Sequence, residues 1–479
     1  MASLYRGEAP ADSEGTASAP PLHVLKECRR ELRRNSVTPD EQELKRGSVS
    51  ADTSLAKPLL AGGVERARTL SDHGLTSSQN LEGLKNIFWD PMCILLVCSP
   101  LGILSACRGW GASCTFWLNF AALIPLAKLL GDGTEEVAAV LQNDTVSGLL
   151  NASFGNAVEM IVSIQALRNG LFSIVKTSLL GSILSNVLLV LGTSFLCGGL
   201  SHRTDNKHTS FAAPRKTGDL VVREKEQTFG VKSALVSMGM LLFSCMSFAL
   251  PTIFDEEPGD DHVSVLKVSR LGALIVMSTY IAFLLFQLVT HKAMVQQDES
   301  MDADGEEEEE AKLSLWLAIA IMGLSTLVVA INSEFLVDAL EDVVKSTGIP
   351  ESFIGVILLP LAGNACEHAG AIRFAILDRP GLSIGIAVGS STQIALLVIP
   401  FSVVSGWLMD RDMDLNFGIL NTAVMLLSVL VVLALVMDGR ANWLKGYIMV
   451  AMYVFIAILY WFVPPPASDM TYNPDELPQ

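Results

Sequence analysis

The stretch GNAVEM, Gly155–Met160, sets a carboxylate inside a run of apolar residues, and the pattern returns as GNACEH, Gly363–His368, 208 positions later. At that constant offset Gly155, Asn156, Ala157 and Glu159 fall on Gly363, Asn364, Ala365 and Glu367; further on, Gly181 and Ser182 fall on Gly389 and Ser390. Self-similarity at a fixed spacing marks an internal repeat. In a bilayer each Glu costs at least ~2.5 kcal/mol at the midplane, so it persists only where a polar cavity and a partner receive it. The fold has to supply both, twice.

The surroundings read as membrane. Half of the 479 residues are hydrophobic and 17% are charged, too apolar for a soluble chain of this length. About eleven apolar stretches are long enough to cross a ~30 Å hydrocarbon layer as helices. They lie at 88–107, 114–140, 145–168, 171–198, 231–254, 264–291, 312–341, 350–377, 380–407, 414–437 and 441–463. Gly, Ala and Ser recur through them, as at helix–helix contacts, whereas a β-barrel would alternate short strands with turns. The first 86 residues hold no long apolar run, so no cleavable signal peptide is expected and the first span directs insertion. Seven of the eight cysteines lie in or beside apolar segments without CxxC spacing, which points to packing rather than to disulfides or zinc.

Lys and Arg gather in alternate connections, as the positive-inside rule requires of a cytoplasmic N-terminus. The tail carries twelve, the 199–230 connection holds Arg203, Lys207, Arg215, Lys216, Arg223 and Lys225, and Arg440 and Lys445 fall on the same side. Opposite connections are acidic or poor in bases, as in FDEEPGDDH at 254–262. The net charge of −17 is concentrated, nine carboxylates falling in DESMDADGEEEEE, Asp298–Glu310.

The organisation expected is a cytoplasmic regulatory tail (1–86), an extra transmembrane helix 1 (87–110), a first repeat of helices 2–6 (111–291), an acidic linker (292–311), a second repeat of helices 7–11 (312–463) and a short lumenal tail (464–479). Five spans separate motif helices 3 and 8, an odd number, which inverts the second copy. The fold class is therefore an all-α polytopic membrane protein of about 11 transmembrane helices, one N-terminal helix plus two inverted five-helix repeats, with both motifs meeting near the midplane as in secondary transporters.

Asn151, Gly155 and Glu159 stand at i, i+4 and i+8, one face of a helix. Gly and Asn before the Glu loosen that helix and free carbonyl oxygens toward a cavity. In the second copy Pro360 removes a helical hydrogen bond and is expected to kink the span. Helices 4 and 9 add Ser182, Ser185, Asn186, Ser390, Thr392 and Gln393, some of them interhelical glue. Two carboxylates, amides and bare carbonyls form an all-oxygen environment suited to a hard divalent cation, and a flexible site favours Ca²⁺ over Mg²⁺, with Mn²⁺ left open. Glu159 and Glu367 are the expected metal ligands, with Asn156, Asn364, Gly155 and Gly363 beside them.

With both carboxylates ionised and the site empty, about two negative charges sit in low dielectric. One Ca²⁺ neutralises the pair, and so do two protons, so the expected consequence is obligatory exchange of cation for protons. Gly155 and Gly363 also fit helix packing, as do Gly181 and Gly389. His368 follows Glu367 but points roughly 100° away from it, and stands as a proton-handling candidate. Glu135, Glu136 and Glu334 are candidates for an access path, or mark helix ends. The acidic run lacks the spaced ligands and the Gly of an EF-hand loop, and reads as a solvated linker. No HExxH helix or nucleophile motif points to an enzyme, and no cofactor is implied. Membrane lipid is the surroundings, nucleic acid is not a partner, a homo-oligomer stays open, and RRNS (33–36) and RART (66–69) offer a kinase two targets in the tail.

At GLLNASFGNAVEMIVSIQAL, GSILSNVLLVLG, INSEFLVDALEDV, GNACEHAGAIRFA and GSSTQIALLVIPF the chain resembles the Ca²⁺/H⁺ exchangers of the cation/proton exchanger family, over residues 85–463. The resemblance implies Glu159 and Glu367 as the essential cation and proton carriers, support from Asn156 and Asn364, Gln393 near the site, a vacuolar or other acidic-organelle membrane, and a tail able to inhibit transport. A sodium/calcium exchanger is the nearest alternative and a passive cation channel a further one. Arg373, six residues beyond Glu367, departs from the apolar residue usual in relatives and is expected to snorkel to the interface.

Overall fold

The computed structural model describes residues 77–141, 144–201, 209–211, 215–217, 220–222, 225–256, 262–292 and 311–463. The tail with RRNS and RART, the carboxylate run at 298–310 and the terminal 464–479 lie outside the described residues.

A short amphipathic helix, α1 (Ser77–Phe88), precedes the first span, α2 (Pro91–Arg108). The first half continues with α3 (Ala112–Leu141), α4 (Asp144–Phe154), α5 (Ala157–Arg168), α6 (Phe172–Leu200), α7 (Val231–Asp255) and α8 (Val263–Thr290). The second comprises α9 (Leu315–Asp338), α10 (Leu340–Thr347), α11 (Glu351–Gly363), α12 (Ala365–Ile376), α13 (Pro380–Leu408), α14 (Ile419–Val436) and α15 (Trp443–Phe462). Among the described residues nine helices are long and apolar enough to cross a membrane, or ten if α11 and α12, bent by 61° at their junction, are counted as one span. The remaining expected span, 145–168, consists of the two shorter helices α4 and α5.

The amphipathic bookkeeping of these helices is inverted relative to a soluble protein. Leu271, Ile275, Leu324, Leu427 and Phe455 are exposed on the outer helices, where lipid would cover them. The interior instead collects small and polar residues. Helices α6 and α13 are the most enclosed of the nine, 83% and 61% of their apolar windows being buried. Ser182, Ser185, Asn186, Ser390, Ser391 and Thr392 are all buried there. Gly181 lets α6 approach the second half closely, because a Cβ at this position would collide with the Val356 carbonyl and lie 2.6 Å from Pro360 Cγ. Both enclosed helices widen to a π-helical turn in mid-course, at Ser185–Val190 and Ile394–Val398.

Outside the helices, β1 (Thr209–Phe211), β4 (Lys225–Thr228) and β5 (Arg440–Ala441) form an antiparallel sheet, in register Thr209↔Gln227 and Gln227↔Ala441. The hairpin of β2 (Arg215–Thr217) and β3 (Leu220–Val222) completes the strands among the described residues. The sheet joins the basic 199–230 connection to the Arg440 turn, two segments that charge distribution alone assigns to the same side.

Candidate cation site

Each motif breaks its span. At the first, α4 ends at Phe154 and α5 starts at Ala157, with Asn156 at φ −113°, ψ 28° between them. Asn151, Gly155 and Glu159 therefore do not share one continuous helix face, and Asn151 and Gly155 are exposed. Gly has poor helix propensity and Asn competes for backbone partners, and together they stop the helix. At the second motif the break lies at Asn364, φ −87°, ψ 10°, four residues past the expected kink at Pro360. Pro360 packs on Gly181 instead. As a result Glu159 and Glu367 both occupy the first turn of a new helix, where the N-terminal end of the helix dipole favours a carboxylate.

The asparagines are buried, and each reaches the opposite half. Asn156 Nδ2 donates to Gln393 Oε1 at 2.8 Å, and Asn156 Oδ1 accepts from Ser390 Oγ at 3.1 Å. Asn364 Nδ2 donates to the Ser182 carbonyl at 3.1 Å. Ser182 and Ser390 are equivalent positions at the 208-residue offset, so the motif of each half is held by the enclosed helix of the other. Asn186 Nδ2 adds a bond to Ser390 Oγ at 3.1 Å.

Glu159 lies against Gly363, where a Cβ would sit 2.5 Å from its Oε1. It lines a cleft with Leu123, Val162, Ser178, Ser182 and Pro360. Glu367 is not part of that lining; it lies beside Ser390 and Asn186, within electrostatic reach of Glu159. The buried oxygens Glu367 Oε2, Asn364 Oδ1 and Asn186 Oδ1 have no hydrogen-bond partner. Such acceptors are costly to leave unmatched in an apolar interior. Among the described residues no group of three or more His, Cys, Asp or Glu side chains could hold a metal, so a cation here would draw on amide, hydroxyl and carbonyl oxygens beside the two carboxylates.

The other expected residues fall elsewhere. His368 Nε2 shares a hydrogen bond with Thr193 Oγ1 at 2.8 Å, on the α6 side. Glu136 accepts the backbone N–H groups of Lys312 and Leu313 at 2.9 and 3.0 Å, capping the approach to α9. Glu135, Glu334 and Arg373 are exposed. Sequence reading missed Ser178 of the cleft, Thr193, and an ion pair on α3, Lys128 with Asp132 at 2.5 Å. The signal for the last was available: opposite charges at i and i+4 within an apolar span.

A model of the sodium/calcium exchanger protein family matches residues 112–289 and 317–462. Vacuolar cation/proton exchanger 3 of Oryza sativa subsp. japonica is 39% identical over 390 residues, covering 80% of this chain and 88% of that protein. The vacuolar calcium ion transporter of Schizosaccharomyces pombe is 35% identical, with 78% and 84% covered. Native YfkE superposes with a TM-score of 0.63 at 32% identity, over 78% of this chain and 100% of that one. An H⁺/Ca²⁺ exchanger, CAX, shares the fold at a TM-score of 0.54 and 15% identity, over 80% and 92% of the two chains.

Proposed function

Because this chain belongs to the sodium/calcium exchanger protein family, we propose that it is a secondary active antiporter exchanging Ca²⁺ for H⁺ across a vacuolar or other acidic-organelle membrane. Relatives named as vacuolar cation/proton exchangers and a vacuolar calcium ion transporter support the coupling and the compartment. The observation that carries the site is the convergence of Glu159 and Glu367 with the unmatched oxygens of Asn364 and Asn186 between the two halves. Oxygen acceptors without donors are what a dehydrated Ca²⁺ requires, since it takes six to eight oxygens at ~2.3–2.6 Å in irregular geometry.

Ca²⁺ bound between the carboxylates cancels their charge, and two protons cancel it equally. Either neutral form can pass through the state in which the site faces neither side, while the doubly charged form is held back by the cost of bare charge in low dielectric. Alternation between the two faces then couples cation movement one way to proton movement the other. The basic tail and 199–230 connection lie in the cytoplasm, and an acidic lumen drives Ca²⁺ inward to the organelle.

The test is Ca²⁺ uptake into vesicles holding the purified chain and loaded with acid, so that a pH difference is the sole driving force. Uptake against a calcium gradient is expected for the wild type, and Glu159→Gln and Glu367→Gln should each reduce it by about a hundredfold or more. Uptake driven by a sodium gradient but not by pH would replace this reading with sodium-coupled exchange. Purely downhill flux would replace it with a channel.

A further inference from the structure

Charged side chains within a membrane span are expensive and mark ion pathways by default, and α3 carries a pair that the two-carboxylate site does not use. Lys128 Nζ lies 2.5 Å from Asp132 Oδ2 and 3.7 Å from Asp90 Oδ2. Asp90 belongs to the segment before α2, where its other oxygen accepts the Met92 N–H at 2.8 Å. One ammonium thus has two carboxylates within reach. Neither member of the close pair is sealed off, their side chains being 17% and 24% exposed.

Their position on α3 relates them to the site. Leu123 lines the cleft beside Glu159; Lys128 and Asp132 follow five and nine residues later, about 8 to 14 Å further along the axis at 1.5 Å per residue. Along its length α3 packs against α12, the helix that carries Glu367. Cys366, the neighbour of Glu367, lies within electrostatic reach of Glu367, Asp132, Lys128 and Glu159 together. The opposite flank of α3 is filled, Gly133 and Thr134 packing on Met322 of α9. Lys128, Asp132 and Glu135 fall on a common flank at i, i+4 and i+7, with exposed Glu135 toward the Leu141 end. The cleft is lined by Glu159, and Glu367 is not among its lining residues.

We propose that Lys128 and Asp132 form a charge gate on the Glu367 side of the cation site: Asp132 attracts the incoming divalent cation and Lys128, its removable counter-ion, competes with it. As a cation approaches, Lys128 transfers to Asp90, already 3.7 Å away, and Asp132 is released to guide the cation on toward Glu367. The gate positions the cation for the Glu367 side, and it rests on the exchange reading above.

Kinetics from one membrane face decide it. In vesicles of uniform, known orientation, the KM for Ca²⁺ is measured for each face separately, for the wild type, Lys128→Met, Asp132→Asn and Asp132→Glu. A gate predicts opposite shifts for Ca²⁺ presented to the face bearing the 199–230 connection. Asp132→Asn should raise that KM by about tenfold, Lys128→Met should lower it severalfold, and Asp132→Glu should restore it, moving the ratio of the two faces' KM values each time. A purely structural ion pair would lower thermal stability in both neutralised variants without opposite shifts in KM. Shifts of the same sign, or none, overturn the gate. Should Asp132→Asn fail to fold, Lys128→Met decides alone, since an unchanged or raised KM is incompatible with a competing ammonium. A wild type without pH-driven Ca²⁺ uptake removes the exchange reading itself, a result distinct from active exchange with unaltered variants.

Discussion

At the residue scale, Glu159 is defined as much by a missing atom as by its own carboxylate. A Cβ at Gly363 would stand 2.5 Å from Glu159 Oε1, closer than Cβ atoms come to such neighbours, so the second half's glycine makes room for the first half's acid. Gly363→Ala should displace the carboxylate while costing the fold little, because the position is helical and Ala is the better helix former. The expected result is a loss of exchange of about tenfold to a hundredfold, as for ~1 Å misplacement of a reacting group, with a Tm within a few degrees of wild type. Wild-type exchange in that variant would mean that Glu159 can move aside freely. The sequence marked Gly363 as a motif residue and offered helix packing as its plain alternative; the contact with the acid depends on how the two halves meet.

At the element scale, α12 is anchored at its far end by the extramembrane sheet. Gln227 of β4 is fully buried, and its Nε2 donates to the Ala375 carbonyl at 2.9 Å and to Asp378 Oδ1 at 2.6 Å. Asp378 holds the left-handed turn after α12 at φ 66°. Gln227→Ala removes both donors from buried acceptors, and should cost about 1–3 kcal/mol, read as a lower thermal-unfolding temperature of the detergent-solubilised protein. Beside it, burial depresses the Lys225 ammonium below the ordinary lysine value, with Asp378 at 3.8 Å partly opposing the shift. The unfolded chain therefore binds this proton more tightly than the folded one. The resulting penalty is complete below the folded pKa and is relieved as pH climbs from there toward 10.5. Thermal stability should accordingly gain a component over that alkaline window, and Lys225→Met should lack it. Nothing in the 199–230 sequence beyond its basic charge announced this anchor, because its partners are a carbonyl and a turn carboxylate about 150 residues away.

At the scale of the whole molecule, the proposed exchange ties the coupling ratio to the carboxylate count. Neutralisation of two carboxylates by either cargo predicts about two protons counter-transported for each Ca²⁺, a ratio that the reversal potential of uptake at imposed pH and calcium gradients measures directly. One proton per Ca²⁺ would mean that a single carboxylate titrates through the cycle. The halves that make this pairing are cross-linked at equivalent residue pairs, Asn156 accepting from the Ser390 hydroxyl and Asn364 donating to the Ser182 carbonyl. A movement that exposes one face must therefore rework contacts belonging to both repeats.

The membrane class, the approximate spans and the repeated GNAxE segment were readable in the chain because they depend on local quantities: apolar run length, charge along the chain, and identity at a constant offset. The family resemblance rested on the same segments, and the relatives bear it out. Helix breaks at Asn156 and Asn364, the Gly363 cradle, the unmatched oxygens, the diversion of His368 to Thr193 and of Glu136 to a helix end, and the Lys128–Asp132 pair beside α12 were decided only in three dimensions. A side chain's neighbours in a bundle come from helices far apart in sequence, and a turn of about 100° per residue decides whether a polar atom faces a partner, lipid or an ion.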